Sequence, residues 1–327
     1  MNSILFSLFL SISLLISPSL FAESFKKVLI SQVAEHPALN STIEGILDAL
    51  KEEGYIPEKN LKVRVESAQA NAALASQIAQ KFVNQAPDIV VGVGTLSAQS
   101  FAKYAQEGKV TLVFSSVTDP LQAGLVKTLQ NPSNNTSGVS NFVKLEPQLE
   151  LFKALQPSLK TLGILYNPGE INSVSIVQQL EKLCPQFGIK LLKQTASKTA
   201  DVYQSALKLA QTVDALFISN DSTALSAFQS VVKAAESTEI PIYVSDTDIV
   251  QFGAVAALGP NQYEVGKQTG FLIAHGLRGA SMGDQAVEFP SKTDLVFNLE
   301  AAAKAHIKIE KSLLTRAAKI ISSSERS

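Results

Sequence analysis

The stretch VVGVGTLS, residues 90–97, passes from an apolar, β-branched run through a glycine turn into polar residues that open a helix-like segment. Five further runs end in small, polar or acidic residues in the same way: Lys27–Val33 before EHP (35–37), Thr111–Phe114 before SSVTD (115–119), Gly163–Tyr166 before NPGEINS (167–173), Ala215–Ser219 before NDST (220–223), and Pro241–Ser245 before DTD (246–248). Alternating strands and helices predict an α/β fold with parallel sheets, and ligands of such sheets bind outside the carboxyl ends of the strands. Six polar strand ends along one edge are typical of a receptor for a small polar molecule.

The composition excludes several classes of protein. The chain has 327 residues, enough for two domains, and 46% of them are hydrophobic, so each domain could bury a core. The 28 basic and 29 acidic residues leave a net charge of −1 with no basic stripe, which argues against nucleic acid as a partner. Cys184 is the only cysteine, so no disulfide forms within the chain, and we expect a buried, inert thiol.

Residues 1–22 have the pattern of a signal peptide. Ile4–Ile16 is almost wholly apolar or hydroxylic, and Pro18 and the small residue Ala22 follow before Glu23. The segment lacks the usual Lys or Arg in front of its apolar region. A retained membrane anchor is therefore the alternative, although the stretch is barely long enough to span a bilayer. There is no cysteine near Ala22, so a lipid anchor is not supported. We predict cleavage near Ala22 and release into the periplasm of a two-membrane bacterium.

Two series of alternating strands and helices follow this segment. The first runs from residue 27 to residue 114, and the second runs from a helix near Glu146 to a strand that ends at Val244. Between them, Asn131–Gly138 reads NPSNNTSG, the strongest linker signal in the chain. Later expected elements are a helix at Thr223–Ser237, a strand at Gly253–Gly259, a helix at Tyr263–Leu277 and a strand at Leu295–Leu299. Two similar lobes are expected, without a detectable sequence repeat, and residues 321–327 are expected to be a disordered tail.

The first series offers groups that could hold an anion. Thr95 and Ser97 stand at a predicted helix N-terminus, where free N–H groups and a hydroxyl favour a carboxylate. Ser97 occupies the place of the third glycine in a dinucleotide fingerprint, so a pyrophosphate is not expected. Plain capping of a structural helix is the alternative for both residues.

The ends of two other strands in this series add further candidates. Ser116, Thr118 and Asp119 supply two hydroxyls and a carboxylate, although Asp-Pro also opens turns and could leave Asp119 a purely structural role. Glu35 and His36 follow the first strand, and a lone histidine is weak evidence for a site. His275 and His306 lie in helix-like surroundings and are expected to be structural or solvated.

The second series is rich in acids and amides at its strand ends. Glu170, Asn172 and Ser173 open one helix, where acids, Asn and Ser are favoured caps, and capping explains only one or two of them. Closely placed carboxylates such as Asp221 and Asp246 could bind a metal, act as acid and base, or pair with a cationic ligand group. The DxDxDG spacing of a hard metal site is absent, as are GxSxG, HExxH and the P-loop. An acid opposite a helix N-terminus suits a ligand with both an ammonium and a carboxylate, an α-amino acid.

At these residues the chain resembles the periplasmic substrate-binding proteins of ABC transporters, in the branch with tryptophan- and tyrosine-type receptors. The stretches that carry the resemblance are EHPALNSTIEGILDALKEEGY (35–55), VGVGTLSAQS (91–100), VFSSVTDPLQAGLV (113–126), GVSNF (138–142), LGILYNPGEINSV (162–174), IPIYVSDTDIVQFGAVAALG (240–259) and NLEAAAKAHIKI (298–309). The similarity covers nearly all of residues 26–318.

The resemblance implies a type I periplasmic-binding fold, with two doubly wound parallel-sheet lobes joined by three hinge crossings. The crossings would fall near Gly138–Phe142, Gly259–Gln262 and Asp284–Phe289. The N-terminal lobe would then comprise residues 24–138 and 260–285, and the C-terminal lobe residues 139–259 and 286–320.

The resemblance also implies roles for individual residues. Thr95 and the loop Ser116–Thr118 would meet the ligand carboxylate, and Asp246 would pair with its ammonium. Glu170, Asn172 and either Asn220 or Asp221 would line the second lobe. The full set of expected ligand-binding residues is Glu35, His36, Thr95, Ser97, Ser116, Val117, Thr118, Asp119, Glu170, Asn172, Ser173, Asn220, Asp221 and Asp246.

The chain departs from the family pattern in two places. The family has a pair of tyrosines after the ALG strand, where this chain has PNQYEVG (260–266), and the common DNT is DST (221–223) here. Both differences concern the part of the ligand beyond its amino and carboxyl groups.

These observations predict a monomeric receptor that closes on an aromatic or large apolar amino acid and delivers it to an ABC permease driven by a cytoplasmic ATPase. No catalytic activity, cofactor or bound metal is expected. Two alternatives remain at this stage. One is a sensor that presents its ligand to a signalling receptor, and the other is a hydrolase that uses the Asp and Glu cluster.

Overall fold

The computed structural model describes residues 25–322, which form two α/β lobes with separate sheets. The strands are β1 (Lys26–Gln32), β2 (Leu61–Ser67), β3 (Ile89–Val93), β4 (Leu112–Val117), β5 (Thr136–Ser140), β6 (Thr161–Tyr166), β7 (Lys190–Thr195), β8 (Ala215–Ile218), β9 (Ile242–Val244), β10 (Ala256–Pro260), β11 (Thr293–Asn298) and β12 (Lys319–Ile321). The α-helices are α1 (Pro37–Glu52), α2 (Ala72–Val83), α3 (Thr95–Gln106), α4 (Leu145–Leu155), α5 (Ile171–Leu183), α6 (Val202–Ala210), α7 (Ser222–Ser226), α8 (Phe228–Glu236), α9 (Gln262–Leu277), α10 (Leu299–Lys304) and α11 (Lys311–Leu314).

The first sheet has the strand order β2-β1-β3-β4-β5, and every neighbouring pair is parallel. Separate apolar clusters lie on its two faces, one with α2 and α3 and one with α1 and α9. Strands β3 and β4 are therefore buried along their whole length instead of alternating between buried and exposed residues. The carboxyl ends of β1, β3 and β4 meet at one edge, which is the arrangement that the sequence predicts.

The second sheet has the order β12-β11-β10-β9-β8-β6-β7 and is mixed. Strands β6 to β10 pair in parallel, whereas β10 and β11 pair antiparallel, with Pro260 opposite Thr293. The parallel core of this lobe follows the prediction, and the antiparallel edge arises because the chain returns to this lobe directly beside β10.

The chain passes between the lobes three times. It crosses after β5, again between β10 and α9, and finally in the segment before β11, where Val139 and Glu288 form an isolated parallel bridge. Two strands extend past the boundaries expected between the lobes. Val139 and Ser140 belong to the first sheet because β5 continues to residue 140, and Pro260 belongs to the second sheet through its pairing with Thr293.

Three sequence-based predictions of local structure are wrong. Residues 136–138 of the expected linker form a buried part of β5, where Gly138 is required because a Cβ would overlap the Phe114 carbonyl oxygen. The helix expected at 223–237 breaks at Ala227 into α7 and α8. The expected tail begins too early, because Ile321 pairs with Asn298 in β12, and residues 323–327 lie outside the described part of the chain.

Helix α9 follows a strand of the second lobe but packs against α1 in the first. The two helices approach so closely that a Cβ at Gly266 would overlap the Thr42 carbonyl oxygen, and a Cβ at Gly270 would lie 2.6 Å from the Ile46 carbonyl oxygen. Only glycine allows this distance between two helix backbones. The contact makes α9 part of the first lobe and fixes the position of its first residue, Gln262.

The described part of the chain includes Cys184 but not the predicted signal peptide. Cys184 is buried, as expected. The predicted signal peptide, residues 1–22, lies outside the described residues. Among residues 25–322, no helix combines the length and the apolar character that crossing a bilayer requires.

Candidate functional site

A small cavity lies between the lobes at the carboxyl ends of the strands, and we call it the inner cavity. Its volume is about 20 Å³, which is room for roughly one water molecule. The first lobe contributes His36, Leu39, Gly94, Thr95, Ser116, Thr118, Asn141 and Gln262, and the second contributes Asn172, Asn220, Ser222, Leu225 and Asp246. Both lobes therefore supply polar groups to one enclosed space, and the lobes are closed directly on each other.

One wall of the inner cavity is the N-terminus of α3. Gly94 has φ 86°, a conformation that favours glycine, and Thr95 begins the helix with its side chain buried. No side chain caps this terminus. The first N–H groups of α3 and the Thr95 hydroxyl therefore present a partial positive charge and hydrogen-bond donors to the cavity.

The end of β4 adds hydroxyls through an irregular backbone. Ser116 has φ 53°, which is uncommon for a residue other than glycine, and the register with β5 shifts between Ser115 and Val117. The shift places the hydroxyls of Ser116 and Thr118 at the inner cavity, whereas Val117 packs into the core of the first lobe. The strain is local to the candidate site, where such backbone strain tends to concentrate.

Asp246 forms the acidic side of the inner cavity. Its side chain is buried, and its Oδ1 accepts a hydrogen bond from Gln262 Nε2 at 2.6 Å. Burial, and to a smaller extent the nearby charge of Asp248, raise the pKa of Asp246 to about 7 against the lowering effect of the Gln262 hydrogen bond. A buried carboxylate with a neutral partner is poorly stabilised, so a cationic group would gain by binding beside it.

Gln262 joins the two lobes through its amide. Its Oε1 accepts hydrogen bonds from Ser116 Oγ at 2.9 Å and from Thr42 Oγ1 at 3.2 Å, both in the first lobe. Its Nε2 donates to Asp246 in the second lobe. The two hydroxyls and the carboxylate together determine which end of the amide faces which lobe.

Two buried polar atoms that line the inner cavity have no partner. His36 is the residue before α1, its side chain does not cap the helix, and its Nδ1 is unpaired. Burial lowers the pKa of His36 to about 4, so its imidazole is neutral. Asn220 Oδ1 is also unpaired, while its Nδ2 lies 3.5 Å from Thr118 Oγ1 across the lobes. Unpaired buried polar groups cost free energy, which a bound ligand could recover.

Glu170 and Asp221 have structural roles that the sequence analysis did not foresee. The Glu170 carboxylate accepts from Ser222 N at 2.8 Å, Thr223 N at 3.0 Å and Thr223 Oγ1 at 2.7 Å. Asp221 caps the same helix through Ala224 N at 2.7 Å and also accepts from Asn167 N and Ser173 Oγ at 2.6 Å each. Burial, and secondarily the charge of Glu170, raise the pKa of Asp221.

The structure thus brings together half of the expected site residues and leaves the others outside the inner cavity. His36, Thr95, Ser116, Thr118, Asn172, Asn220 and Asp246 line it. Glu170 and Asp221 accept hydrogen bonds from the N-terminus of α7, Ser173 donates to Asp221, and Val117 lies in the core. The Ser97 hydroxyl accepts a hydrogen bond from Ser31, Asp119 accepts from Gln122 N at 2.9 Å, and Glu35 is exposed.

Sequence analysis missed three polar residues of the inner cavity, Asn141, Ser222 and Gln262. Asn141 follows β5, and β5 was mistaken for a linker. Gln262 lies inside PNQYE, the segment where the chain departs from the family pattern, and this departure was the available signal. The apolar Leu39 and Leu225 gave no signal, because core residues look the same in a sequence. Residues 25–322 contain no group of three or more His, Cys, Asp or Glu that could hold a metal ion.

Comparison with known proteins gives a consistent result. The family model described as "ABC transporter substrate binding protein" matches residues 27–321. A "Tyrosine-binding protein" of Clostridioides difficile is 33% identical over 273 residues, which are 84% of this chain and 79% of that protein. A crystal structure of an ABC domain from Streptococcus pneumonia in complex with L-Trp is 31% identical, covers 91% of this chain and 100% of that one, and has a TM-score of 0.87.

A third relative has nearly the same sequence identity as the L-Trp complex but a less similar structure. The ligand-free, open structure of a substrate binding protein with adhesive properties from Clostridium difficile is 30% identical and covers 91% of this chain and 99% of that one. Its TM-score is 0.68, against 0.87 for the L-Trp complex at nearly the same identity. The arrangement of the present chain is therefore closer to the ligand-bound relative than to the open one.

Proposed function

Because this chain belongs to the ABC transporter substrate binding protein family, we propose that it captures an amino acid, aromatic or large and apolar, between its two lobes. The proposal includes delivery of the ligand to an ABC permease in the inner membrane. It also includes export of the chain to the periplasm, cleavage near Ala22 and action as a monomer without cofactor or catalysis.

The observation that carries the ligand class is the pair of opposite electrostatic features in one cavity. The uncapped N-terminus of α3, with Thr95, faces the inner cavity from the first lobe. The buried carboxylate of Asp246 faces it from the second. An anionic and a cationic group on one small molecule would satisfy both, and an α-amino acid carries these two groups on a single carbon atom.

The surrounding residues then have distinct tasks. The hydroxyls of Thr95, Ser116 and Thr118 would donate to the ligand carboxylate, and Ser116 and Thr118 would give up their present bonds to Gln262 Oε1 and Asn141 Oδ1. Asp246 would accept from the ligand ammonium, and Asn172 and Asn220 would hold the ligand from the second lobe. The names of two relatives, a tyrosine-binding protein and an L-Trp complex, support an aromatic ligand.

Ligand capture on this model requires the lobes to separate. The inner cavity has room for about one water molecule, which is too small for an amino acid. The lobes must therefore move apart both for the ligand to enter and for the cavity to hold it. Hinge closure of two lobes around a ligand is a well-known transition, and the three crossings provide the hinge. The bound state is expected to be slightly more open than the conformation described above.

A thermal-shift screen tests the proposal. The mature chain is first unfolded and refolded to remove any ligand that co-purifies, and is then melted with each of the twenty amino acids and with sugars, purines and short peptides. A ligand at 100 times its Kd stabilises the folded state by about 2.7 kcal/mol, which a melt resolves. A shift with one or a few aromatic amino acids supports the proposal. A shift with another class alone discards the amino acid, and recovery of a chemically altered ligand discards the receptor role.

A further inference from the structure

A second and larger cavity lies beside the inner cavity, and we call it the outer pocket. Its volume is about 410 Å³, and it opens to solvent between the lobes. Its apolar lining consists of Pro37 from the first lobe and Leu225, Ala227, Phe228, Ile249 and Phe252 from the second. A volume of this size falls in the range of small-molecule sites, and apolar and aromatic linings are typical of them.

The two cavities share part of their lining. His36 and Leu225 contribute to both, one from each lobe, and both side chains are buried. They form the partition between the polar inner cavity and the apolar outer pocket. The partition consists of two side chains that belong to different lobes, so it opens when the lobes separate by a small amount.

The break between α7 and α8 lies in the wall of the outer pocket. Ala227 has φ −115° and ψ 29°, so one helix ends and the next begins there. Leu225 lies before the break and Phe228 after it, and both line the pocket.

Size and polarity assign different parts of a ligand to the two cavities. The inner cavity presents donors and a carboxylate but has about 20 Å³, and the outer pocket is mainly apolar and has about 410 Å³. An aromatic side chain is many times larger than the single water molecule that the inner cavity admits. It therefore cannot share this cavity with the amino and carboxyl groups of the same ligand. The apolar pocket is the place where such a ring gains most from burial.

We infer that the outer pocket is the side-chain subsite of the bound amino acid, whose side chain leaves the inner cavity between His36 and Leu225. This inference rests on the proposed function and adds the residues that select the ligand. Phe228, Ile249 and Phe252 would contact the ring. The exposed carboxylate of Glu35 at the rim would disfavour acidic side chains.

Two variants test the subsite, one by filling the outer pocket and the other by removing a side chain from its lining. Ser226 is exposed and lines the outer pocket, so Ser226→Trp fills the space without replacing a core residue. Phe252 is 39% exposed, and Phe252→Ala removes a contact at little cost to folding. Phe271→Ala is the matched control, because Phe271 is also 39% exposed but lies on α9, away from both cavities.

The affinities of each protein for L-tyrosine, L-tryptophan and L-alanine are measured by calorimetry or competition. We expect Ser226→Trp to weaken both aromatic ligands at least tenfold and to weaken L-alanine less than twofold. Phe252→Ala should weaken the aromatic ligands by about three- to tenfold, and Phe271→Ala by less than twofold. Aromatic binding that is unchanged in both pocket variants would overturn the subsite while leaving the proposed function intact. Failure of the wild-type protein to bind any amino acid would overturn both.

Discussion

The substitution Asp246→Asn tests the central electrostatic argument with almost no change in shape. In the structure, the Asp246 carboxylate is buried and has one neutral hydrogen-bond partner, the Gln262 amide at 2.6 Å. A ligand ammonium would be its only positively charged partner in the inner cavity. The amide of the variant can still accept a hydrogen bond but carries no charge, so the ammonium would be buried without a counter-ion.

The expected loss follows from general magnitudes. Two unit charges about 4 Å apart attract by about 4 kcal/mol at the effective dielectric constant of a protein site. Removal of one partner of a buried charge pair costs about 2–5 kcal/mol of binding free energy. Each 1.4 kcal/mol is a factor of ten in Kd, so we expect Asp246→Asn to weaken the ligand by at least about thirtyfold at pH 8.

The same residue predicts how affinity depends on pH. Burial raises the pKa of Asp246 to about 7 in the ligand-free protein, and pairing with an ammonium would lower it. Binding below pH 7 therefore requires release of a proton, and affinity should fall as the pH falls, by up to tenfold for each unit below 7. Above pH 7 the wild-type affinity should be constant. The neutral Asn variant should show no such slope, so the two proteins converge at low pH.

Isothermal titration calorimetry between pH 5 and 8 measures both effects, and repetition in buffers of different ionisation enthalpy counts the released protons. Asp248→Asn is the matched control for the affinity at pH 8, because Asp248 does not line the inner cavity. Its charge contributes to the raised pKa of Asp246, so this variant should move the pH dependence to lower pH. The burial of His36 keeps its pKa near 4, below this range. An Asp246→Asn protein that binds the ligand within threefold of wild type at pH 8 would refute the assignment of the ammonium.

Three other predictions concern separate parts of the chain. Thr95→Val should weaken ligand binding by about 1 kcal/mol, roughly fivefold in Kd, because it removes one donor at the start of α3; an unchanged Kd in calorimetry would leave Thr95 a structural role only. Glu170→Ala should lower the free energy of unfolding by about 1–3 kcal/mol in a denaturant titration, because the N–H groups of Ser222 and Thr223 lose their acceptor. The control Glu150→Ala, at an exposed site, should stay within about 0.5 kcal/mol, and equal effects would contradict the capping role. A chain without residues 1–22 should be soluble and bind ligand as the full chain does, and insolubility or loss of binding would count against a signal peptide.

The periodic part of the fold could be predicted from the sequence because its causes are local. Strand β3 is apolar throughout, and β4 begins with an apolar run before its two serines, a pattern that follows from burial on both faces. Strand β5 escaped prediction because its sequence, TSGVS, has the composition of a loop. Its small residues are required by the close approach to Phe114, which no local pattern reveals.

The candidate site was predictable only as a set of strand ends. Thr95, Ser116 and Asp246 could be placed because the polar end of a buried strand must lie at the edge of the sheet. The sequence does not predict which way each of these side chains points. Glu170 and Asp221 turn to the N-terminus of α7, since two carboxylates at a strand end can satisfy backbone N–H groups as well as a ligand. That choice depends on helices that come together only in the folded chain.

The connection between β10 and α9 has a consequence for how the receptor works. β10 ends at Pro260 and α9 begins at Gln262, so Asn261 alone joins an element of one lobe to an element of the other. Since the glycine contact holds α9 against α1, Gln262 moves with the first lobe while Asp246 moves with the second. Any rotation at Asn261 separates the two side chains, and the polar site divides into two half-sites, each with too few groups to retain a ligand. Affinity and lobe angle are therefore linked at this crossing, and a substitution at Asn261 is expected to change ligand retention without touching the ligand.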